Sequence, residues 1–282
     1  MSAILHIVPG LDEQWSGIAV AAKLLAKEQD AELVEARSAN ARKVSQFDEI
    51  WVHSTWSWPV WTACWIAKSE GKKLVRMTHG NLDPVRLAYH GFKKRLAGPM
   101  ERYFLRQADV VIATCEAEAR WIRAYEPRIK AIEVINLKRF FKLNSPSAPI
   151  TNTSSLHLLY LGRRHALKGL DALSAALTKL QGVVPYEFRV VSNAFGDEKD
   201  KVWDWCDALV LPTLTDNFGL VIAEALERGK RVITTDGAPA WDDGNTYGGR
   251  LTYLKGYRNG SMEERVRLLK DALAGLMDNL ER

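Results

Sequence analysis

The stretch "LVLPTLTDNFGLVIAEALERGKRVITTDGAP", residues 209–239, contains a complete strand-helix-strand unit. Its apolar start and the later run "RVITTD" have the composition of buried strands, and residues 219–228 between them place apolar side chains at helical spacing before a glycine. Asp216 lies in the turn before the predicted helix, and Glu224 lies about one and a half turns inside it. A unit of this kind is typical of a parallel sheet covered by helices.

The same alternation extends through the rest of the chain. Strand-like runs in the first half are "AILHIVPG", "ELVEARS", "EIWVHS", "KLVRMTHG", "DVVIATC" and "IEVIN", with predicted helices at 18–28, 59–70, 93–107 and 116–125. The second half repeats the pattern with "LHLLYLG", "YEFRVVSN", "DALVLPT", "RVITTD" and "LTYLKG".

The segment "KLNSPSAPITNTSS", residues 142–155, interrupts this alternation with Ser, Pro, Thr and Asn and indicates a linker. We therefore predict an α/β fold of two doubly wound, Rossmann-like domains, at residues 1–147 and 148–282, that face a central cleft. The last predicted helix, at about 262–280, is a candidate to pack back towards the N-terminal domain.

Composition narrows the class of protein. The 282 residues are 47% hydrophobic, which is enough for two cores, and they contain only three widely spaced cysteines, Cys64, Cys115 and Cys206. These cysteines have neither disulfide-framework nor zinc-ligand spacing, so we expect them to be buried apolar residues in a reducing compartment. The N-terminus has no basic segment typical of a leader, and no apolar run approaches the roughly 20 residues of a membrane span. We expect a cytoplasmic protein.

Charge is distributed unevenly along the chain. Residues 1–150 contain 22 Lys and Arg against 16 Asp and Glu, a net +6, whereas residues 151–282 contain 17 against 18, a net −1. The segment "FKKRLAGPMERYFLR", residues 92–106, interleaves five basic residues with large apolar ones. It is either an ordinary solvated helix face or a basic amphipathic surface for the anionic leaflet of the inner membrane; nucleic acid is a weaker alternative that no recognised motif supports.

Neither a GxGxxG fingerprint nor a GxxxxGK[ST] loop is present, so the sequence favours neither an NAD enzyme nor a P-loop NTPase. The segment "YLGRRHALKGLD", residues 160–171, instead places Arg163 and Lys168 directly after a predicted strand. Both cations can converge on a diphosphate there, although a basic loop that merely faces solvent is the alternative. Asp216 and Glu224 can accept hydrogen bonds from adjacent sugar hydroxyls, or can be surface helix residues.

Four motifs in order resemble the retaining GT-B glycosyltransferases of the family 4 type. They are "GLDEQWSGIAVAAKLLA" at the first strand-helix junction, the His-Gly stretch "MTHGNLDPVRL" with the following "ADVVIATCEAEARWIR", the loop "YLGRRHALKGLDAL", and the opening stretch with two acids separated by seven residues. The resemblance covers nearly the whole chain. It implies transfer of a sugar from a nucleotide-diphosphate sugar to a glycan or glycolipid hydroxyl, with retention and without a metal or other cofactor, in lipopolysaccharide or other bacterial surface polysaccharide biosynthesis.

By this resemblance, His79 and Asp216 are the catalytic residues and would contact the donor sugar, Arg163 and Lys168 would neutralise the diphosphate, and Glu224 would hold the ribose hydroxyls. The Ser16–Gly17 loop would lie close to the phosphates. Further donor contacts are expected at Asn217, Phe218, Gly219 and Leu220, and acceptor contacts at His53, Trp56 and Asp83.

The sequence also departs from the family pattern. Asp216 stands where the family usually has Glu, "NLKRFF" replaces a Pro-Asn-Gly turn after "IEVI", and only 15 residues separate "FRVV" from "DALVLPT". Two other functions therefore stay open: a degenerate GT-B module that binds a glycan or a partner without catalysis, and a nucleotide-sugar epimerase or hydrolase.

Five of the ten tryptophans fall within 15 residues, and three of these, Trp58, Trp61 and Trp65, share one helix face. We interpret this face as part of the core, with an exposed surface on the acceptor side or at a membrane interface as the alternative.

Overall fold

The computed structural model describes residues 2–12, 17–89, 91–148, 155–182, 185–192 and 194–278. The chain divides into two compact units, residues 1–137 and 138–282. The division precedes the predicted boundary at 147/148 because the intervening segment packs on the second unit: Arg250 donates to the carbonyl of Leu143 at 2.7 Å, and the Ala148 amide donates to Gly229 at 2.9 Å. Part of the predicted linker, residues 149–154, lies outside the described residues.

The first unit contains a six-stranded parallel sheet in the order β2-β1-β3-β4-β5-β6. The strands are β1 (Ile4–Val8), β2 (Glu32–Glu35), β3 (Glu49–His53), β4 (Lys73–Met77), β5 (Val110–Ala113) and β6 (Ile132–Val134). The helices are α1 (Gly17–Glu28), α2 (Ala41–Val44), α3 (Trp58–Ser69), α4 (Pro84–Ala88), α5 (Gly91–Gln107) and α6 (Glu116–Tyr125).

The second unit contains a five-stranded parallel sheet in the order β11-β10-β9-β7-β8. Its strands are β7 (Leu156–Leu161), β8 (Tyr186–Val191), β9 (Ala208–Leu211), β10 (Arg231–Thr235) and β11 (Leu251–Leu254). Its helices are α7 (Leu170–Thr178), α8 (Gly196–Trp205), α9 (Leu220–Glu227) and α10 (Met262–Asp278). Both sheets are doubly wound, which confirms the predicted fold class.

Helix α10 buries Val266, Leu269 and Leu273 in the core of the second unit and packs against α7. Its apolar face therefore belongs to its own unit. The predicted packing of the chain end towards the first domain falls partly on residues 279–282, which lie outside the described residues.

The tryptophan face of α3 is divided between core and surface. Trp61 is buried and donates its indole N–H to Glu101 at 2.7 Å, but Trp58 and Trp65 are 70% and 61% exposed. The core interpretation is thus wrong for two of the three. Cys64 and Cys206 are buried as expected, and Cys115 is half-buried.

Helix α5 is fastened to the sheet by a buried ion pair. Arg76 on β4 and Glu101 on α5 are both fully buried, and a guanidinium nitrogen lies 2.8 Å from a carboxylate oxygen. The second carboxylate oxygen accepts the backbone N–H of Trp56 and the indole N–H of Trp61. Such a pair is costly to form but much more costly to break on one side, since one charge is then left buried without a partner.

Among the described residues, no helix combines the length and the apolarity needed to cross a bilayer.

Replacing Glu101→Gln keeps an oxygen for the two tryptophan N–H groups but leaves the Arg76 charge uncompensated. We expect a loss of about 3–5 kcal/mol of unfolding free energy, measured by urea denaturation followed by tryptophan fluorescence. The double variant Arg76→Met/Glu101→Gln removes the stranded charge and should recover part of this loss. A double variant at least as unstable as the sum of its two single variants would contradict this account.

Candidate functional site

Loops from three adjacent strands of the second unit meet at the carboxyl edge of its sheet. They follow β7, β9 and β10, and the strand order reverses between β7 and β9. In doubly wound sheets, ligands bind at this reversal, outside the carboxyl ends of the strands.

Two glycines permit the close contact between these loops. A Cβ atom on Gly169, which has φ +69°, would lie 1.9 Å from the carbonyl oxygen of Pro212. A Cβ atom on Gly237 would lie 2.0 Å from the carbonyl oxygen of Thr213. Any side chain at either position would therefore force the loops apart.

The contact brings together two residues predicted from the sequence. Lys168 Nζ lies 2.5 Å from a carboxylate oxygen of Asp216, and both side chains are mostly buried, with 14% and 23% exposure. The Asp216 amide donates to the carbonyl of Gly237 at 2.7 Å, which fixes the turn before α9. A cation and a carboxylate thus lie together at the switch point of the sheet, the place where the strand order reverses between β7 and β9.

Arg163 follows β7 and Gly162, and its side chain is exposed. The Tyr160 hydroxyl donates to the Arg163 carbonyl at 2.9 Å, so the backbone of this residue is held. Burial, reinforced by the charge of Asp216, raises the pKa of Tyr160 and keeps this hydroxyl a donor. The backbone of Arg163 is therefore held in place while its side chain is exposed, which suits a ligand that arrives from solvent.

The turn between β9 and α9 contains an unsatisfied polar group. Asn217 is only 8% exposed, and its side-chain oxygen Oδ1 has no hydrogen-bond partner. Buried amide oxygens are normally bonded, so this one is available to a ligand donor. The neighbouring Phe218 is buried between Phe141 and Trp241, with ring centroids at 6.1 and 5.5 Å. Gly219, at φ +66°, then leads into α9, whose first turn begins at Leu220.

Glu224 is also matched with a lysine. Lys199 Nζ on α8 lies 2.6 Å from a Glu224 carboxylate oxygen, and the two side chains are 28% and 20% exposed. This oxygen has no hydrogen-bond partner, so the contact is an ion pair without a directed hydrogen bond. Lys199 was not predicted from the sequence.

In the first unit, Gly17 is the first residue of α1, after β1, whereas Ser16 lies outside the described residues. His79 follows β4, adopts φ +52° and is 8% exposed. Glu118, fully buried on α6, holds the backbone on both sides of it, because its carboxylate accepts the Thr78 hydroxyl at 2.8 Å and the Gly80 amide at 2.5 Å. The same carboxylate accepts the amide and hydroxyl of Thr114 after β5.

His79 ends a line of three histidines that crosses β1, β3 and β4. His6 Nδ1 lies 2.9 Å from His53 Nε2, and His53 Nδ1 lies 2.8 Å from His79 Nε2. At the inner end, His6 Nε2 lies 2.7 Å from the side-chain oxygen of Gln29. Successive ring centroids are 5.1 Å apart.

Burial keeps these histidines neutral. It lowers the pKa of His6 to about 4, against the opposing effects of Gln29 and Glu49. Burial, and then the charge of Arg86, lowers the pKa of His79 to about 3. The pKa of His53 lies well below its usual value, first through burial and then through the neighbouring histidines and Arg76.

The three predicted acceptor residues have structural contacts. His53 is fully buried with both ring nitrogens bonded, so a direct contact of its ring with an acceptor does not fit the structure. Asp83 is buried and caps α4 by accepting the Val85 amide at 2.8 Å. The Trp56 ring packs edge-on against Tyr125, 5.9 Å away, and its buried indole N–H has no partner.

Sequence reasoning missed His6, Gln29 and Glu118 as well as Lys199. The one available signal was His6, a polar residue inside the apolar run "AILHIVPG". Glu118 and Lys199 lie in ordinary helices and Gln29 directly follows one, where a polar residue is unremarkable.

Comparison with solved structures identifies the fold. Anabaena HepE, solved with UDP-glucose, superposes with a TM-score of 0.67 at 16% identity, covering 99% of this chain and 92% of that protein. Sucrose-phosphate synthase from Thermosynechococcus elongatus gives 0.67 at 13% identity, covering 96% and 90%. The α,α-trehalose-phosphate synthase (UDP-forming) from Burkholderia vietnamiensis gives 0.59 at 11%, covering 99% and 97%.

The two doubly wound units therefore define a protein of the GT-B class. Residues 10–137 match the sequence model of the glycosyl transferase 4-like domain. The match covers most of the first unit, and the solved structures share the fold of the chain as a whole, in line with the resemblance noted in the sequence. A search of curated protein sequences gives no match.

The neutral histidines predict acid sensitivity. In the unfolded chain each binds a proton near pH 6.5, whereas the folded pKa values of His6 and His79 are about 4 and about 3. Stability is therefore full above about pH 6.5 and is lost as the pH falls towards 4, by up to about 1.4 kcal/mol per histidine per pH unit. Glu49, Arg76 and Arg86 are the charged groups that act on the three rings.

The measurement is the urea midpoint between about pH 7.5 and pH 5.5. The variant His53→Asn should show a shallower loss of stability, by about one proton, than the unchanged protein. Equal slopes in both proteins would contradict the assignment of His53 as a neutral buried group.

Proposed function

We propose that the protein transfers a sugar from a nucleotide-diphosphate sugar to a hydroxyl of a glycan or glycolipid, with retention of the anomeric configuration and without a metal ion. The observation that carries the proposal is the pairing of Lys168 with Asp216 at the switch point of the second sheet. Arg163, on the loop after β7 at the same edge of the sheet, has an exposed side chain. Anabaena HepE, a structural relative, was solved with UDP-glucose.

In the proposed complex, Arg163 and Lys168 bind the diphosphate. During transfer the bond between the anomeric carbon and the diphosphate oxygen breaks, and the leaving diphosphate keeps the electron pair. The acceptor oxygen forms the new bond to that carbon, and its proton passes to the leaving diphosphate. The two cations stabilise the charge that develops on the diphosphate, which is the contribution that a metal makes in other transferases.

Asp216 is proposed to accept hydrogen bonds from the donor sugar once Lys168 has moved towards the phosphate. Glu224 is proposed to hold the ribose diol, and the free oxygen of Asn217 offers one more acceptor to the donor. Gly219, the N-cap of α9, and Leu220, its first residue, lie where backbone N–H groups have no partner within the helix and can bind anions. His79 is proposed to serve the sugar hydroxyls from the edge of the first sheet, with Gly17 at the start of α1 as an additional phosphate contact.

The acceptor is proposed to be membrane-bound, in lipopolysaccharide or related surface polysaccharide assembly at the cytoplasmic face of the inner membrane. Support comes from α5, where Phe92, Leu96, Met100 and Tyr103 form an exposed stripe with helical spacing. Phe92 and Leu96 are 76% and 69% exposed.

Only part of the basic charge of α5 is available to a membrane. Lys93 and Arg95 are exposed beside the stripe. Lys94, Arg102 and Arg106 are bonded within the unit, to the Arg86 carbonyl, the Tyr125 carbonyl and Glu126. The exposed tryptophans of α3, a helix that packs against α5, add amphipathic side chains suited to the headgroup region.

Calorimetric titration with UDP, GDP, ADP and their sugar conjugates tests the donor site. One base series should bind in the presence of EDTA, and Glu224→Ala or Arg163→Ala should weaken that binding about tenfold or more, because each removes a charged hydrogen-bonding group. Glu227→Gln, a carboxylate change on the same helix that touches the Lys142 amide, is the matched control and should bind normally.

A donor turned over without an acceptor would favour the epimerase or hydrolase alternative. Absence of binding to every nucleotide would favour the alternative of a GT-B module without catalysis. A strict requirement for Mg²⁺ or Mn²⁺ would exclude the metal-independent mechanism.

Sedimentation with phosphatidylglycerol vesicles tests the membrane surface. The protein should bind them, whereas phosphatidylcholine vesicles should bind it weakly. Phe92→Ser/Leu96→Ser should lower partitioning at least about tenfold, since two large apolar side chains lose their burial. Met262→Ser, at an exposed apolar residue of the second unit, serves as control. Equal partitioning of both variants would contradict the assignment of this surface.

A further inference from the structure

The hydrogen bonds along the line of histidines can run in only one of two directions, which we call its polarity. A neutral imidazole has one N–H donor and one bare acceptor nitrogen, so each ring in a hydrogen-bonded line fixes the tautomer of the next. His53 has both nitrogens engaged, which makes it an obligatory relay between His6 and His79. The tautomer of the whole line is therefore set by whatever contacts its ends.

Gln29 sets the polarity at the inner end. Its side-chain oxygen, an acceptor, faces His6 Nε2 at 2.7 Å, so His6 must donate from Nε2 and accept at Nδ1. His53 then donates from Nε2 to His6 and accepts at Nδ1, and His79 donates from Nε2 to His53. Because a neutral imidazole has one N–H and His79 carries it on Nε2, its Nδ1 has no hydrogen.

Charges near the ends favour the same polarity. Glu49 acts on His6 and favours N–H bonds that point towards that end. Arg86 acts on His79 and favours the bare nitrogen at the other end. Arg76 acts on His53 and opposes a proton gained in the middle.

The strand register explains how the line forms. His6 lies opposite Trp51, and His53 lies opposite Met77, so alternate residues place His6, His53 and His79 on one face of the sheet. The line rises diagonally across this face to the carboxyl edge, where His79 is the one residue of the three with any exposed surface.

We propose that Gln29, His6 and His53 are positioning residues that hold His79 as the Nε2–H tautomer, so that its Nδ1 accepts a hydrogen bond from a sugar hydroxyl. The role of that hydroxyl contact rests on the proposed function, but the tautomer itself does not. Histidine-selective ¹⁵N labelling and two-bond ¹H–¹⁵N correlation spectra distinguish bare from protonated nitrogens in the ligand-free protein. Single His→Gln variants assign the signals.

Gln29 is the position to change because it is only half-buried and follows the end of α1, so its variants should fold. The unchanged protein should show a bare Nδ1 on all three histidines near neutral pH. Gln29→Glu, which only accepts, should keep this pattern. Gln29→Lys, which only donates, should move the protons to Nδ1, and Gln29→Leu should give a mixture of the two tautomers.

In transfer assays Gln29→Lys should lower kcat about tenfold with a smaller change in the KM for donor, because one hydrogen bond to the reacting sugar is reversed. Gln29→Glu is the matched control and should stay within about twofold. A protonated Nδ1 on His79 in the unchanged protein, spectra that do not respond to Gln29→Lys, or equal kcat values for the Lys and Glu variants would each overturn the proposal. Failure of the unchanged protein to bind any nucleotide counts against the proposed function instead, and the tautomer spectra then stand alone.

Discussion

The site of the second unit depends on the contact between two stretches of backbone, at Gly169 and Pro212. There is no room for a Cβ atom between them, and the left-handed φ of Gly169 turns the chain into α7 at this point. The Leu214 amide donates to the Leu167 carbonyl at 2.9 Å and ties the same loops together. This backbone geometry places Lys168 next to Asp216, and their side chains then form the ion pair.

The first unit buries many polar groups in and beside its sheet, and each of them loses its contacts with water. Several of them have partners: Arg76 has Glu101, the loop around His79 has Glu118, and the histidines have one another and Gln29. Matched groups avoid most of the desolvation penalty, and they restrict the structure to the arrangement in which every partner is present. Two nitrogens of Arg76 nevertheless lack hydrogen-bond partners, so this pair is not fully compensated.

The sequence was sufficient for the fold because the alternation of strands and helices is a local signal. It also placed Lys168 and Asp216 after strands of one parallel sheet, whose strand ends all lie at one edge, but the ion pair between them is seen only in the structure. It could not predict that Lys199 faces Glu224 or that His6 reaches His53, because those contacts depend on register and on how helices are rotated. The short helices α2 and α4 were missed because four or five residues are too few for a periodic pattern.

Trp58 and Trp65 illustrate a limit of a different kind. Helical spacing groups residues on one face but does not state what covers that face, so burial was inferred from hydrophobicity alone. The division between the compact units precedes the predicted boundary for a related reason: a polar composition suggested a linker, yet the carbonyl of Leu143 in this segment is bound by the buried Arg250.

The Lys168–Asp216 and Lys199–Glu224 ion pairs also bear on which solutes can compete for the proposed site. A small anion such as inorganic phosphate meets ammonium groups that already have carboxylate partners, and it has no group with which to satisfy the carboxylates that it would displace. A molecule with both phosphates and hydroxyls can replace all four partners at once: its phosphates take Lys168 and Lys199, and its hydroxyls take Asp216 and Glu224. In the proposed donor complex, the two pairs therefore favour a ligand with both kinds of group over simple anions.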